Sequence, residues 1–128
     1  MKLLLDTHII IWAVSAPKLL SEKTQSYMTD AETIYVSAAS IWEICIKIQL
    51  NKLQLDLATF IQEIERIGVQ SLAITWKHAQ LTKEIPLYHK DPFDRMLIAQ
   101  AMSEPLTLLT NDNTLPQYSE LVRHVDSL

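Results

Sequence analysis

The chain has 128 residues, enough for one domain with a substantial core. Hydrophobic residues make up 48% and charged residues 20%, and the net charge of −4, from 11 basic and 15 acidic residues, leaves no basic footprint for nucleic acid. A single cysteine, Cys45, excludes an intrachain disulfide and a cysteine metal cluster, and a single glycine, Gly68, excludes a glycine-rich phosphate loop.

An acidic total still accommodates metal-binding carboxylates, because a bound divalent cation reverses the local field. The apolar run Leu3-Leu4-Leu5 is too short for a secretory h-region and is stopped by Asp6. No stretch reaches the length of a membrane span, so a cytoplasmic protein is expected.

In chain order, Leu3–Leu5 reads as a buried strand feeding a helix over Ile9–Val14. Glu22–Asp30 suits a helix capped by Ser21. Thr33–Val36 is β-branched and aromatic, hence a strand. Ser37 or Ser40 opens a helix to about Leu50, and Leu57–Ile67 forms another that ends at Gly68. A short strand over Ser71–Ile74 and a helix over Trp76–Lys83 follow. Asp91-Pro92 starts a helix to Met102, then Leu106–Leu109 is a strand, with a last strand near Leu121–Val125. Strands alternating with helices predict an α/β fold, a parallel sheet with helices on both faces. Ligands of such sheets bind beyond the carboxyl ends of the strands.

Four acids stand near those ends, and each has a structural explanation of its own. Asp6 and Asp112 suit helix caps or turns. Asp91 suits an N-cap with Pro92 at the first helical position, and Asp94 then completes a capping box. Glu43 lies inside a helix and suits an i, i+4 pair with Lys47. Together they have another meaning. Asp6, Glu43, Asp94 and Asp112 converging at one sheet edge would repel one another unless a cation were bound. Oxygen donors suit Mg²⁺ or Mn²⁺, and such ions promote phosphodiester hydrolysis.

Leu3-Leu4-Leu5-Asp6-Thr7-His8, Val36-Ser37-Ala38-Ala39-Ser40-Ile41-Trp42-Glu43-Ile44, His89-Lys90-Asp91-Pro92-Phe93-Asp94-Arg95-Met96-Leu97-Ile98-Ala99-Gln100-Ala101 and Leu109-Thr110-Asn111-Asp112 occur in that order. This set resembles the PIN-domain ribonucleases, in particular the VapC-like toxins of prokaryotic type II toxin–antitoxin systems. The resemblance covers essentially the whole chain, 1–128, as a single PIN domain, and the Asp91–Ala101 block is its most specific part. It implies a three-layer α/β/α sandwich around a short parallel sheet and an Mg²⁺- or Mn²⁺-dependent endoribonuclease. The acidic pocket would map onto Asp6, Glu43, Asp94 and Asp112, with Thr7, Ser37 or Thr110 as the small polar residue beside it. A homodimer held inactive by a co-expressed antitoxin is also implied.

Asp91 and Asp94 compete for the inward position; Asp94 is chosen, and Asp91 is given the cap. Lys47, Lys52, Lys90 and Arg95 are the candidate RNA phosphate contacts. His8, His78, His89 and His124 share no metal-ligand spacing and read as structural or surface residues, although His8 and His89 lie near pocket acids. Cys45 reads as a core thiol. Trp42, Ile46 and Leu50 form an apolar set suited to dimerisation or an antitoxin helix. Two other functions compete. A phosphoryl receiver would need an acidic neighbour beside Asp6 and a lysine after Leu109, and the chain has neither. A catalytically silent binding module would use the acids only as caps.

Overall fold

Leu3, Leu4 and Leu5 are fully buried, as an apolar run must be in a central parallel strand covered on both faces. A computed structural model describing residues 1–128 places them in β1 (Lys2–Leu5), the middle of a five-stranded sheet. The other strands are β2 (Thr33–Ser37), β3 (Gln70–Leu72), β4 (Thr107–Thr110) and β5 (Val122–His124). The order is β3-β2-β1-β4-β5, and every pairing is parallel. No helix is long and apolar enough to cross a membrane.

The crossover helices are α1 (Thr7–Ser15), α2 (Glu22–Thr29), α3 (Ala38–Gln49), α4 (Leu57–Arg66), α5 (Trp76–Leu81) and α6 (Pro92–Ser103). Side chains of successive strand residues point to opposite faces, and the two cores follow that rule. Leu3 and Leu5 join Ile9, Ile10, Ile44, Phe60 and Leu109 in one core. Leu4 joins Leu97, Ile98, Ala101, Leu108 and Val122 in the other. The result is the expected α/β/α sandwich. Between β4 and β5 the chain makes only a 3₁₀ turn, Leu115–Tyr118.

Local chemistry sets the element ends. The Ser21 hydroxyl accepts from the Thr24 amide and caps α2. Ser37, rather than Ser40, caps α3, accepting from the Ala39 amide at 3.0 Å. Gly68, at φ +88°, takes the left-handed turn after α4 that a side chain would resist. Asp91 caps α6 through bonds from the Phe93 and Asp94 amides, with Pro92 at the first helical position.

The segment before α6 is irregular and is held by one side chain. Arg95 donates from Nη1 to the carbonyls of Pro86 and His89, and from Nη2 to those of Thr82 and Ile85. A planar guanidinium fork suits this, because it presents several donors in fixed directions. Arg95→Met should therefore lower stability by about 2 kcal/mol. In hydrogen exchange, protection should fall across residues 82–91 while the amides of β1 stay slow; equal loss in both regions would contradict this local role.

Candidate active site

The strand order reverses between β1 and β4. The chain leaves β1, builds β2 and β3 on one side, and returns to β4 on the other. The helices that follow or precede parallel strands begin at the carboxyl edge, so the residues just after β1 and β4 and those opening α3 and α6 meet there. Asp6 directly follows β1, and its amide donates to the Leu109 carbonyl of β4 at 3.0 Å. Asp112 lies two residues beyond β4.

Asp6 occupies the N-cap position of α1, yet its side chain caps nothing. That corrects the cap explanation for this residue. Its carboxylate is nearly buried and its Oδ2 accepts instead from the Thr110 hydroxyl at 2.6 Å. The same hydroxyl accepts from the Asp112 amide at 3.0 Å, so Thr110 ties both ends of the switch point together. Asp112 also forms the turn expected of it, with Oδ1 accepting from the Thr114 amide and hydroxyl.

Glu43 makes the expected pair with Lys47 and a further contact across to α1. Its Oε2 pairs with Lys47 at 3.1 Å, while its Oε1 accepts from the Thr7 hydroxyl at 2.7 Å at the start of α1. The Thr7 oxygen also lies 3.0 Å from the hydroxyl of Ser40. Among the small polar residues, Thr7 and Thr110 engage acids, whereas Ser37 is committed to its helix cap. Ser40, considered from sequence only as a helix cap, reaches Thr7 from inside α3.

Asp94 and Asp91 separate cleanly. Asp91 accepts the two helix amides, while Asp94 does not reach back to complete a capping box. The Asp94 Oδ2 instead meets Nε2 of His89 at 2.7 Å. Ligand atoms of His89, Asp94 and Asp112 all lie within 4.8 Å of one another. His89 thus stands among these acids, half-buried and bonded to Asp94, in keeping with its place near a pocket acid in the sequence. Sequence held only a faint signal: His89 stands shortly before a helix that must begin at the carboxyl edge. The other histidines lie outside this cluster. His78 is buried against Glu104, His124 bonds the Asn111 carbonyl, and His8 is exposed beside Trp12.

The electrostatics register the crowding. Burial pushes the Asp94 carboxyl up to about 6, the charges of Asp6 and Asp91 push the same way, and His89 opposes them. Burial also holds Asp6 above the usual carboxylate range, with Glu43 adding to it, against the bond from Thr110, the charge of His8 and the Thr7 amide. For Asp112 burial acts upward but is outweighed by the Thr114 bonds and the charges of His89 and His124, so it titrates low. Glu43 thus acts on Asp6, and Asp6 acts on Asp94, which links the acids that follow β1, lie in α3 and open α6.

Two of the candidate phosphate contacts are otherwise engaged. Lys47 is paired with Glu43. Arg95 is a structural clamp, its fork filled by the four carbonyls of the preceding segment. Lys90 and Lys52 are exposed. Cys45 is half-buried rather than a core thiol. The molecule's largest concavity, about 520 Å³, is lined by residues such as Leu20, Met28, Ile34 and Ile67 and includes none of the four acids.

Thr110→Val keeps the shape but removes the donor to a buried carboxylate. It should lower stability by about 1–3 kcal/mol, read by urea denaturation at neutral pH. A change within error would mean that the Thr110–Asp6 bond does not hold the switch point together.

The PIN domain family profile matches residues 3–121. Ribonuclease VapC22 of Mycobacterium tuberculosis is 27% identical over 115 residues, covering 88% of each chain. In the structure of DNA-bound VapBC from Salmonella typhimurium, a chain superposes with a TM-score of 0.71 at 17% identity, covering 98% of both chains. A chain of VapBC2 from Rickettsia felis, bound to a promoter DNA fragment, gives 0.70 at 14% identity, covering 97% of this chain and 98% of that one. These structural likenesses match the parallel sandwich described above, and the profile spans nearly the whole sequence: the chain belongs to the PIN-domain family.

Proposed function

We propose that this chain is a divalent-metal-dependent endoribonuclease and the toxin of a toxin–antitoxin pair, with residues 1–128 acting as one PIN domain. The observation that carries the reading is the set of acids gathered at the β1/β4 switch point in a PIN-domain chain. The relative named as a ribonuclease and the neighbours named as VapBC complexes support it. The residues fit a cation. Two carboxyls held above their usual range by burial and by neighbouring acids, Glu43 for Asp6 and Asp6 with Asp91 for Asp94, are what a bound positive charge relieves. Asp6, Asp94 and Asp112 would hold Mg²⁺ or Mn²⁺, with Glu43 beside them.

When bound, such an ion supplies the positive charge that activates water and offsets charge developing on the phosphodiester. The chain's own residues do the positioning. Thr110 orients Asp6 and fixes the backbone of Asp112, and Thr7 and Lys47 orient Glu43. Exposed Lys90, beside the cluster in sequence, and exposed Lys52 are the remaining basic candidates for the RNA backbone. Trp42 on α3 and Leu50 just past its end, 61% and 57% exposed, offer an apolar face suited to a second copy or an antitoxin helix. A cytoplasmic location belongs to the same proposal.

Cleavage of a structured RNA panel, tRNA included, tests the activity. It should require Mg²⁺ or Mn²⁺, stop with EDTA, and fall by more than about 100-fold in Asp6→Asn, the scale of loss when a charge-stabilising group is removed from a reacting centre. A variant that cuts as fast as the wild type would overturn the assignment.

The raised carboxyls also set a pH dependence. A carboxyl that titrates higher when folded binds its proton more tightly in the native state. The stability contributed by Asp94 is therefore fully present below the unfolded value of 3.8 and is lost as pH rises through about 6. Without cation, Asp94→Asn should have a higher Tm than the wild type at pH 7.5 and a similar one at pH 4. With Mg²⁺, the wild type should gain more at pH 7.5 than at pH 5.5, and the variant should gain little at either. A wild-type gain independent of pH would contradict this account.

A further inference from the structure

We infer that His89 is itself a ligand of the cation, so that the site is a mixed nitrogen and oxygen site that selects Mn²⁺ over Mg²⁺. The inference rests on the cation-dependent reading above and adds a ligand and a selectivity to it.

Three observations carry it. First, ligand atoms of His89, Asp94 and Asp112 lie within 4.8 Å of one another. Opposite ligands of one octahedral ion stand about 4.2 Å apart, twice a bond of about 2.1 Å, so a side-chain adjustment of under an ångström brings all three to a common centre. Second, of the further acids at this edge Glu43 has both oxygens engaged, whereas Asp6 keeps one oxygen for the ion. Glu43 is shared between Thr7 and Lys47, and one oxygen of Asp6 takes the Thr110 hydroxyl. The nearest further donor to Asp94 is the His89 imidazole, at 2.7 Å. Third, His89 is not a loosely tethered surface residue. Its carbonyl is clamped by Arg95, as are the carbonyls of Thr82, Ile85 and Pro86 before it, and its ring is half-buried against Asp94. The backbone is thus fixed before any cation arrives, which lowers the cost of recruiting the ring.

The consequence lies in the donor chemistry. Carboxylate and water oxygens serve Mg²⁺ and Mn²⁺ alike, whereas imidazole nitrogen favours first-row transition ions over Mg²⁺. The neutral ring carries the ligating lone pair on one nitrogen, and the proton now shared with Asp94 leaves to solvent or moves to the other nitrogen when Nε2 ligates. Arg95 acts here as a positioning residue for His89.

The test uses the full chain at pH 7.5 with Mn²⁺ or Mg²⁺ alone. Electron spin-echo modulation of the Mn²⁺ complex should carry a ¹⁴N coupling in the wild type that disappears in His89→Gln. By calorimetry, His89→Gln should weaken Mn²⁺ binding by about tenfold or more while Mg²⁺ binding stays within about threefold, so the Mn²⁺/Mg²⁺ affinity ratio collapses. If bound Mn²⁺ shows no ¹⁴N coupling in the wild type, or keeps it in His89→Gln, the inference is overturned and an oxygen-only site remains. Equal weakening of both ions would also overturn it, leaving His89 as a positioner of Asp94. If neither ion binds the wild type, the cation reading itself fails, and this inference with it. The wild-type spectrum decides the matter even should the variant fold poorly.

Discussion

β1 and β4 lie side by side in register although Asp6 and Thr110 are 104 positions apart. The intervening chain passes through the far half of the sheet and both helical layers before it returns. A parallel sheet with this order must open a crevice where its two halves diverge, at the carboxyl ends of the two central strands. The Asp6 amide on the Leu109 carbonyl and the Thr110 hydroxyl on the Asp6 carboxylate close that junction. The loop to Asp112, the start of α3 with its Thr7 contact, and the entry to α6 are all placed with respect to it.

The junction is also where stability and function oppose each other. A hydrophobic sandwich with full cores on both faces would fold more comfortably with neutral groups at its carboxyl edge. Instead it buries Asp6 and half-buries Asp94 within reach of each other's charge, and both resist ionisation. Sites that hold strained electrostatics of this kind are where binding energy from a ligand can be taken up. The supports around them are rigid: a threonine hydroxyl with two partners, a helix cap at Asp91, and an arginine fork across an irregular segment.

Much of the fold was legible in the sequence because its signals are local. The fully apolar Leu3–Leu5 marks a central strand, Ser21 and Asp91-Pro92 mark helix starts, and Gly68 marks a helix end. The β3 and β5 strands are short edge elements, so their boundaries shifted to Gln70–Leu72 and Val122–His124. The acids were legible as a set, but their individual chemistry was not. Asp6 sits where a cap belongs, and only the tertiary pairing of β1 with β4 brings Thr110 to take its oxygen. Asp94 occupies the capping-box position, yet His89 draws its carboxylate away. Arg95 looked like a phosphate contact because a charged residue beside a pocket acid gives no local hint of four carbonyls folded back around it. Each of these depends on a contact that no periodicity encodes.

The central claim is that the acids of β1, β4 and α6 form one cation site at the switch point. Anomalous diffraction from crystals of the full chain soaked in Mn²⁺ tests it most directly. The account predicts a strong peak between Asp6, Asp94 and Asp112, absent from crystals of Asp94→Asn treated in the same way. Full-occupancy peaks elsewhere with none at the switch point would contradict it.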